Sequence, residues 1–186
     1  MLVLGNAIEN DRKDDPFQQW KLRAAKEPIV AAAIRGEMPL PSHPLNGQKA
    51  PEVNLPLLDG DRFRLSNHRG QIVILDFWAS WCAPCMQAMP KVDALVAEFD
   101  EQAIQLVTVN LNDSDGQIRR SLKRLNIRPE VAMDLDGVIA ERYQVQAIPQ
   151  LVVIRPDGSV ATVFVGGGDA MIGRLRELLT ELTADL

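Results

Sequence analysis

A nearly unbroken apolar run at residues 71–79, QIVILDFWA, constrains the fold of this chain more than any other feature. Its length suits a β-strand, and apolar side chains at almost every position predict a strand that is covered on both faces. Residues 83–99 then place apolar side chains at helical spacing, so a helix is expected soon after the strand. A buried strand followed by a helix is typical of sheets with parallel strands and crossover helices.

The chain from residue 48 onward continues this alternation. The segments EVNLPLL and RFRLS predict a β-hairpin around an Asp-Gly turn, and IQLVTVNL predicts a second buried strand. Next come a basic amphipathic helix at 114–126, a short strand EVAMD and a short helix GVIAERYQV. A hairpin, QLVVIRPDGSVATVFVG, and a helix at 169–183 complete the pattern. The sequence thus predicts an α/β domain over residues 48–186, with a central mixed sheet flanked by helices and an N-terminal β-hairpin.

Residues 1–47 have a different character. Asp15 and Pro16 suit the N-cap and the first turn of a helix, and apolar residues follow at helical spacing. The stretch MPLPSHPLNG is rich in proline, which is typical of an extended linker. We therefore predict a helical N-terminal extension and a Pro-rich linker at 1–47. The alternatives are the tail of a preceding domain and an extra helix that belongs to the main domain.

Composition and charge exclude several classes of protein. The chain is 46% hydrophobic and 24% charged, which is typical of a globular protein rather than a disordered one. A net charge of −5 argues against a nucleic acid as partner. No apolar run approaches the roughly 20 residues that a membrane helix needs. The first residues, MLVLGN, lack the features of a signal peptide, so we expect either a cytosolic protein or a mature, trimmed chain.

The chain contains two cysteines, Cys82 and Cys85, and both lie at the predicted start of the helix that follows the buried strand. Unpaired backbone N–H groups and the helix dipole stabilise a thiolate there, and the thiolate is the species that attacks disulfides. Cys85 lies almost one turn further along, close enough to pair with Cys82. Pro84 stiffens the first turn, where a missing N–H costs little. The spacing therefore predicts a redox-active dithiol.

A cysteine pair can also belong to a zinc site, attach haem covalently or be buried without taking part in a reaction. A zinc site needs about four ligands, and the chain adds only His43 and His68, both distant in sequence. Covalent haem attachment requires a histidine directly after the second cysteine, and Met86 occupies that position. An inert pair of buried cysteines is the remaining alternative.

The segment LDFWASWCAPC resembles the active-site segment of the thioredoxin superfamily, and in particular its TlpA/ResA-like branch of thiol–disulfide oxidoreductases with a redoxin or AhpC/TSA-like domain. Trp81 and Pro90 match the family's tryptophan before the first cysteine and the proline that kinks its active-site helix. QAIPQ resembles the cis-proline loop, with Pro149 facing the disulfide, and VGGG resembles the glycine segment beside the substrate groove. The resemblance runs from about residue 50 to residue 186. It implies a thioredoxin fold with an extra βα insertion before the cis-proline loop.

The resemblance also implies a role for each residue of the candidate site. Cys82 is expected to attack a substrate disulfide, Cys85 to resolve the mixed disulfide, and Asp76 to transfer a proton. The residues expected to shape the substrate groove are Trp81, Ala83, Pro84, Ile148, Pro149 and Gly166. We expect no metal and no organic cofactor, because the Cys82–Cys85 disulfide itself carries the electrons.

Asp76 is the one carboxyl inside the apolar run, six residues before Cys82. Desolvation of a buried carboxyl raises its pKa, so Asp76 can accept a proton from Cys85. Thioredoxins place a lysine on the neighbouring strand near this aspartate. The matching strand here reads LVTVNLN, and we expect Asn110 to stand in that place.

The expected function is a thiol–disulfide oxidoreductase that reduces protein disulfides through its Cys-Ala-Pro-Cys motif. A redox-sensing or protein-docking module of a longer protein is the alternative. A thiol peroxidase is a third interpretation, but the Pro and Thr that usually precede its reactive cysteine are missing from DFWASWC. The resemblance implies protein thiols and disulfides and an electron-donor redox protein as partners. It also implies a monomer in the bacterial periplasm or cell envelope, with the cytoplasm as the alternative.

Overall fold

The computed structural model describes residues 43–184 and residue 186. The predicted helix in the N-terminal extension and most of the predicted linker lie outside the described residues. Residues 43–186 form one compact unit. The predicted boundary at residue 47 therefore stays a prediction.

Seven strands and four α-helices make up the described part of the chain. Strands β1 (Asn54–Pro56) and β2 (Arg62–Arg64) pair antiparallel as the predicted N-terminal hairpin, and a 3₁₀ turn at Leu65–His68 follows. The remaining strands are β3 (Ile72–Trp78), β4 (Ile104–Leu111), β5 (Glu130–Asp134), β6 (Gln150–Ile154) and β7 (Val160–Val165). The helices are α1 (Ala83–Val96), α2 (Asp115–Leu125), α3 (Val138–Arg142) and α4 (Asp169–Ala184).

The five later strands form the central sheet in the order β5-β4-β3-β6-β7. Strand β3 lies in the middle, parallel to β4 and antiparallel to β6, and all seven of its residues are buried. Strand β5 and helix α3 stand between β4 and the proline loop, where the inserted strand and helix were expected. The prediction of a mixed sheet of the thioredoxin type is confirmed.

The sheet direction determines where the candidate site forms. The C-terminal ends of β3, β4 and β5 and the N-terminal end of β6 all meet at one edge of the sheet. Cys82 follows β3 and Pro149 precedes β6, so both reach this edge although 67 positions separate them in the chain. The opposite edge carries the β6–β7 turn, where Lys49 bridges to Ser159.

The two faces of β3 are covered by different elements, as the alternation of side chains along a strand requires. Val73, Leu75 and Phe77 pack with residues of the N-terminal hairpin, which covers one face. Ile72 and Ile74 pack against α1 and α4 on the other face. Each fully buried aliphatic or aromatic side chain of this kind contributes about 1.5 to 3 kcal/mol. Asp76 belongs to the second face, beneath α1.

Candidate active site

The two cysteines form a disulfide at the point where β3 gives way to α1. Cys82 is the N-cap residue of α1, and its Sγ accepts a hydrogen bond from the Cys85 backbone N–H at 3.2 Å. The two Cα atoms lie 5.3 Å apart, and Pro84 occupies the first turn between them. The Cys85 N–H has no partner within the helix and donates to the Cys82 sulfur. This hydrogen bond and the positive end of the helix dipole both stabilise negative charge on Cys82.

The two sulfurs differ in their access to solvent. Cys85 is completely buried, whereas Cys82 retains 4% exposure at the edge of the site. Trp81, directly before it, is 73% exposed, and Ala83 and Pro84 are exposed as well. A partner protein therefore reaches Cys82 before Cys85. The arrangement suits an attacking cysteine at the surface and a resolving cysteine behind it.

The proline loop faces the disulfide from the other side. The peptide bond between Ile148 and Pro149 is cis, and the Ile148 carbonyl oxygen lies 3.7 Å from Cys82 Sγ. In the oxidised state this sulfur carries no proton, so the thiol can donate to that oxygen only after reduction. Gly166 donates its backbone N–H to the Pro149 carbonyl at 2.8 Å. This bond joins the end of β7 to the proline loop.

The glycines after β7 leave room beside this loop. Gly166 has a φ of 88°, and a Cβ built there would meet no atom within 4 Å. Its neighbour Gly167 is different, because a Cβ would lie 3.3 Å from the Cβ of Ala88 on α1. A side chain at Gly167 would have to displace Ala88 of the active-site helix by a few tenths of an ångström.

Asp76 lies in β3, six residues before Cys82, and its side chain is inside the core. Its carboxyl is 1% exposed, and neither oxygen has a hydrogen-bond partner among the described residues. Burial raises the pKa of Asp76 to about 7. Its neighbours on the same face of β3, Ile74 and Trp78, pack in clusters with Val92 and Cys85 respectively. The carboxyl is therefore placed under α1, between the core and the resolving cysteine.

A buried carboxylate at the end of β4 holds the turn that precedes Cys82. Asp113 accepts hydrogen bonds from the Ser80 backbone N–H at 2.6 Å and from the Ser80 hydroxyl at 2.8 Å. The side-chain amide of Asn110 donates to the same carboxylate at 2.9 Å. Asp113 is 4% exposed, so these are charge-assisted bonds to a buried carboxylate, although Ser80 itself is half-buried. They fix the backbone two residues before the reactive sulfur.

Residues 46–163 match the model of the AhpC/TSA family. The chain belongs to this family. It is 31% identical to the thiol-disulfide oxidoreductase ResA of Bacillus subtilis over 120 residues, which cover 64% of this chain and 67% of that protein. It is also 31% identical to the thioredoxin-like protein YneN of Bacillus subtilis over 123 residues, covering 64% and 71% of the two chains.

The chain is also similar to solved structures of thiol–disulfide proteins. A Chlorobium tepidum protein assigned as a thiol:disulfide interchange protein DsbE is 33% identical, with a TM-score of 0.69 over 74% of this chain and 96% of that one. A secreted disulfide oxidoreductase of Mycobacterium tuberculosis is 26% identical, with a TM-score of 0.61 over 70% and 96% of the two chains. The TlpA/ResA-like resemblance is confirmed, and the chain is an oxidoreductase of the thioredoxin superfamily.

The structure brings most of the predicted site residues to one end of this AhpC/TSA domain. Cys82, Ala83, Pro84 and Trp81 lie at the start of α1, and Ile148, Pro149 and Gly166 lie opposite them. Asp76 lies deeper, under α1. The catalytic and substrate-binding roles of these residues remain predictions.

The expectation that Asn110 stands in the place of the thioredoxin lysine stays a prediction, but Asn110 is not the residue directly opposite Asp76. Strand register pairs Asp76 with Thr108, and Asn110 lies opposite Trp78. The Thr108 hydroxyl donates to the Glu130 carbonyl, and the Asn110 amide is committed to Asp113. Neither side chain supplies a hydrogen bond to Asp76, so its carboxyl is more isolated than the expectation assumed.

Sequence reasoning also missed Asp113 and Ser80. A carboxylate just after a buried strand, at the edge of the sheet that holds the reactive residues, was the available signal. The partner of that carboxylate lies 33 positions away in the chain, which no local pattern reveals.

The described residues show neither a metal-binding cluster nor a membrane-spanning helix. No group of three or more His, Cys, Asp or Glu side chains in residues 43–184 is placed to hold a metal ion. No helix in the described part of the chain is long and apolar enough to cross a membrane.

Replacing Asp113 with alanine is expected to lower the free energy of unfolding by about 2 to 3 kcal/mol, because it leaves the buried amide of Asn110 and the half-buried donors of Ser80 without their acceptor. Urea unfolding of the oxidised protein measures this loss. The matched control is Asp115→Ala, which removes an exposed carboxylate two residues later and is expected to change stability little. Equal losses in the two variants would contradict a special role for Asp113 in holding the turn.

Proposed function

We propose that this protein reduces disulfide bonds in other proteins, with Cys82 and Cys85 as the reacting dithiol. The Cys82 thiolate attacks one sulfur of the substrate disulfide, the substrate S–S bond breaks, and a mixed disulfide forms. Cys85 then loses its proton and attacks the Cys82 sulfur. The internal disulfide forms, the second substrate sulfur leaves as a thiol, and two electrons have passed to the substrate.

The unequal burial of the two cysteines is the observation that carries this proposal. Cys82 lies at the surface edge, next to the highly exposed Trp81, whereas Cys85 is closed off behind it. A substrate sulfur can thus bond to Cys82 without reaching Cys85. The internal attack needs little backbone movement, because the two Cα atoms are already 5.3 Å apart.

Asp76 is proposed to accept the proton of Cys85 before the internal attack. A carboxyl whose pKa burial raises to about 7 is half ionised near neutral pH, which suits a general base at that pH. No described residue hydrogen-bonds to its oxygens, which leaves them available for a proton. The same carboxyl returns the proton to Cys85 when the internal disulfide opens, so Asp76 serves exchange in both directions and the reduction potential of the cysteine pair decides the direction.

The proline loop is proposed to hold the substrate chain. The Ile148 carbonyl oxygen lies 3.7 Å from the Cys82 sulfur. An extended substrate segment that is bonded to this sulfur can therefore form hydrogen bonds with the backbone of the proline loop. Gly166 offers open space on the neighbouring segment, and Trp81 offers an exposed aromatic surface. Backbone recognition of this kind is tolerant of substrate sequence.

The proposed partners and location follow from the reduction of protein disulfides and from the similarity to known oxidoreductases. The substrates are protein disulfides, a separate redox protein returns the electrons, and the protein acts as a monomer without metal or organic cofactor. A location outside the bacterial cytoplasm, in the periplasm or envelope, is supported by the similarity to a secreted mycobacterial disulfide oxidoreductase.

Reduction of insulin disulfides tests the activity, and the reduction potential of the cysteine pair tests the direction. We expect catalysed precipitation of insulin with dithiothreitol as electron source, and a potential close to about −270 mV, as in reducing thioredoxins. A potential near about −120 mV would contradict the reducing direction and would assign the pair to strong oxidants. Failure to turn over insulin would contradict the activity itself.

A further inference from the structure

A cavity of about 290 Å³ opens beside the active-site turn, on the side of α2. Its walls are Ser80, Gln117, Arg120, Ser121 and Arg124. Ser80 lies two residues before Cys82, so their Cα atoms are at most about 7 Å apart. A group bound in this cavity therefore lies against the turn that leads into Cys82, on the β4 side of β3, whereas the proline loop lies on the β6 side.

Two arginines give this cavity its charge. Arg120 and Arg124 lie one helical turn apart on the same face of α2, and both are exposed. Neither forms an ion pair within residues 43–184, whereas the adjacent Arg119 is paired with Asp115 and with Asp59. Like charges at this spacing disfavour the helix slightly, and the chain as a whole carries a net charge of −5. The pair is thus a local positive site on an acidic protein.

Ser80 forms the wall of the cavity opposite these arginines, and hydrogen bonds fix its position. Asp113 binds both the backbone N–H and the hydroxyl of Ser80, and its carboxylate is buried and occupied by these donors. The cavity therefore joins a fixed turn to two cationic side chains. Planar guanidinium groups bind carboxylates through two parallel hydrogen bonds, which suits an acidic side chain in this position.

We infer that this cavity receives an acidic side chain of the partner protein, next to the partner's reacting cysteine. Arg120 and Arg124 bind the carboxylate while Trp81 contacts apolar surface and Cys82 exchanges with the sulfur. The inference rests on the proposed thiol–disulfide exchange. It adds that the protein prefers partners with an acidic residue near the reacting cysteine. Charge at the rim of an interface acts mainly on the rate of association and on its dependence on salt.

Two synthetic peptides test this preference. Each has the same length and one internal disulfide, and the cysteines are flanked by Glu-Glu in one peptide and by Gln-Gln in the other. The second-order rate constant for reduction by the reduced protein is measured in stopped flow at low and at high salt. We expect the acidic peptide to react about tenfold faster at low salt and the advantage to shrink as salt screens the charges. Net charge alone predicts the opposite order, because an acidic protein repels an acidic peptide.

Charge reversal locates the effect. Arg120→Glu/Arg124→Glu is expected to bring the ratio of the two rate constants to one or below, and Arg120→Gln/Arg124→Gln is expected to give an intermediate ratio. The matched control is Lys49→Glu/Arg69→Glu, which changes net charge equally at the opposite edge of the sheet. Its ratio is expected to stay close to that of the unmodified protein.

The outcomes separate this inference from the proposed function. Equal rate constants for both peptides, or an unchanged ratio after charge reversal at Arg120 and Arg124, would overturn the inference and leave the oxidoreductase activity standing. An equal fall of the ratio in the Lys49/Arg69 control would overturn it too, because net charge would then explain the preference. Absence of reduction of both peptides and of insulin would overturn the proposed function together with the inference.

Discussion

Replacing Cys82 with serine is expected to lower the rate of insulin reduction by at least about a thousandfold, to the rate without protein. A serine hydroxyl is not ionised at neutral pH at the start of α1, so the variant has no sulfur at the surface edge to attack a substrate disulfide. Cys85 cannot take over, because it is completely buried behind that position. Turbidity of reduced insulin with dithiothreitol as electron source measures the loss.

Cys85→Ser is the matched control, because it removes the other sulfur and keeps the attacking one. Its Cys82 still forms a mixed disulfide with a substrate cysteine, but the step that releases the substrate is missing. A covalent complex should accumulate and be visible by mass spectrometry under non-reducing conditions. Trapping of substrate by Cys82→Ser instead would reverse the two roles. Retention of full turnover by either variant would rule out the two-cysteine cycle.

The elements around this site followed from local sequence pattern. The apolar run at 71–79 is β3, and the helical spacing after it is α1, because a strand buried on both faces and an amphipathic helix have distinct periods. The burial of Asp76 followed for the same reason, since a single carboxyl inside such a run has no exposed face to occupy. The proximity of Pro149 to the disulfide followed from the family resemblance and not from local pattern.

Strand register and long-range side-chain contacts did not follow from the sequence. Thr108 and Asn110 lie on the same face of β4, so the alternation of side chains along a strand, which has a period of two, does not indicate which of them lies opposite Asp76. Asn110 lies two positions further along β4 than Thr108, the direct partner of Asp76. Asp113 was missed because its partner Ser80 comes from another strand end, and only the folded sheet brings them together.

The cavity beside α2 also depends on a long-range contact that the sequence does not predict. The sequence predicts a basic amphipathic helix at 114–126, and a solvated surface is the ordinary interpretation of a basic helix face. The fold adds that this face lies against the turn before Cys82, which changes what the charges of Arg120 and Arg124 can bind. Position relative to the reactive sulfur, rather than charge itself, makes the pair a candidate determinant of partner choice.

Replacing Asp76 with asparagine is expected to slow closure of the internal disulfide by about a hundredfold at pH 7, the effect typical of losing a positioned proton acceptor. The rate in the unmodified protein should rise with pH through about 7, where burial places the pKa of Asp76, and this rise should be missing in the variant. Single-turnover quenching with an acidified thiol-blocking reagent measures the closure step. The earlier attack by Cys82 serves as an internal control, because Asp76 takes no part in it. An unchanged pH profile of closure would exclude Asp76 as the acceptor.

The same carboxyl predicts a stability profile, which tests its burial independently of catalysis. The pKa of Asp76 is about 7 in the folded protein, against 3.8 for the ordinary group, so between these values the folded state holds a proton that the unfolded state has released. The free energy of unfolding must therefore fall as pH rises through this window, by up to about 4 kcal/mol in total. Asp76→Asn cannot ionise and should lose this fall. Thr108→Val is the matched control, because it changes the residue opposite Asp76 without removing a titrating group, and it should keep the fall. Urea unfolding at a series of pH values measures this dependence. If the free energy of unfolding of Asp76→Asn still falls with pH as in the unmodified protein, the fall belongs to another group. Asp76 would then be ionised in the folded protein at a lower pH than its burial requires.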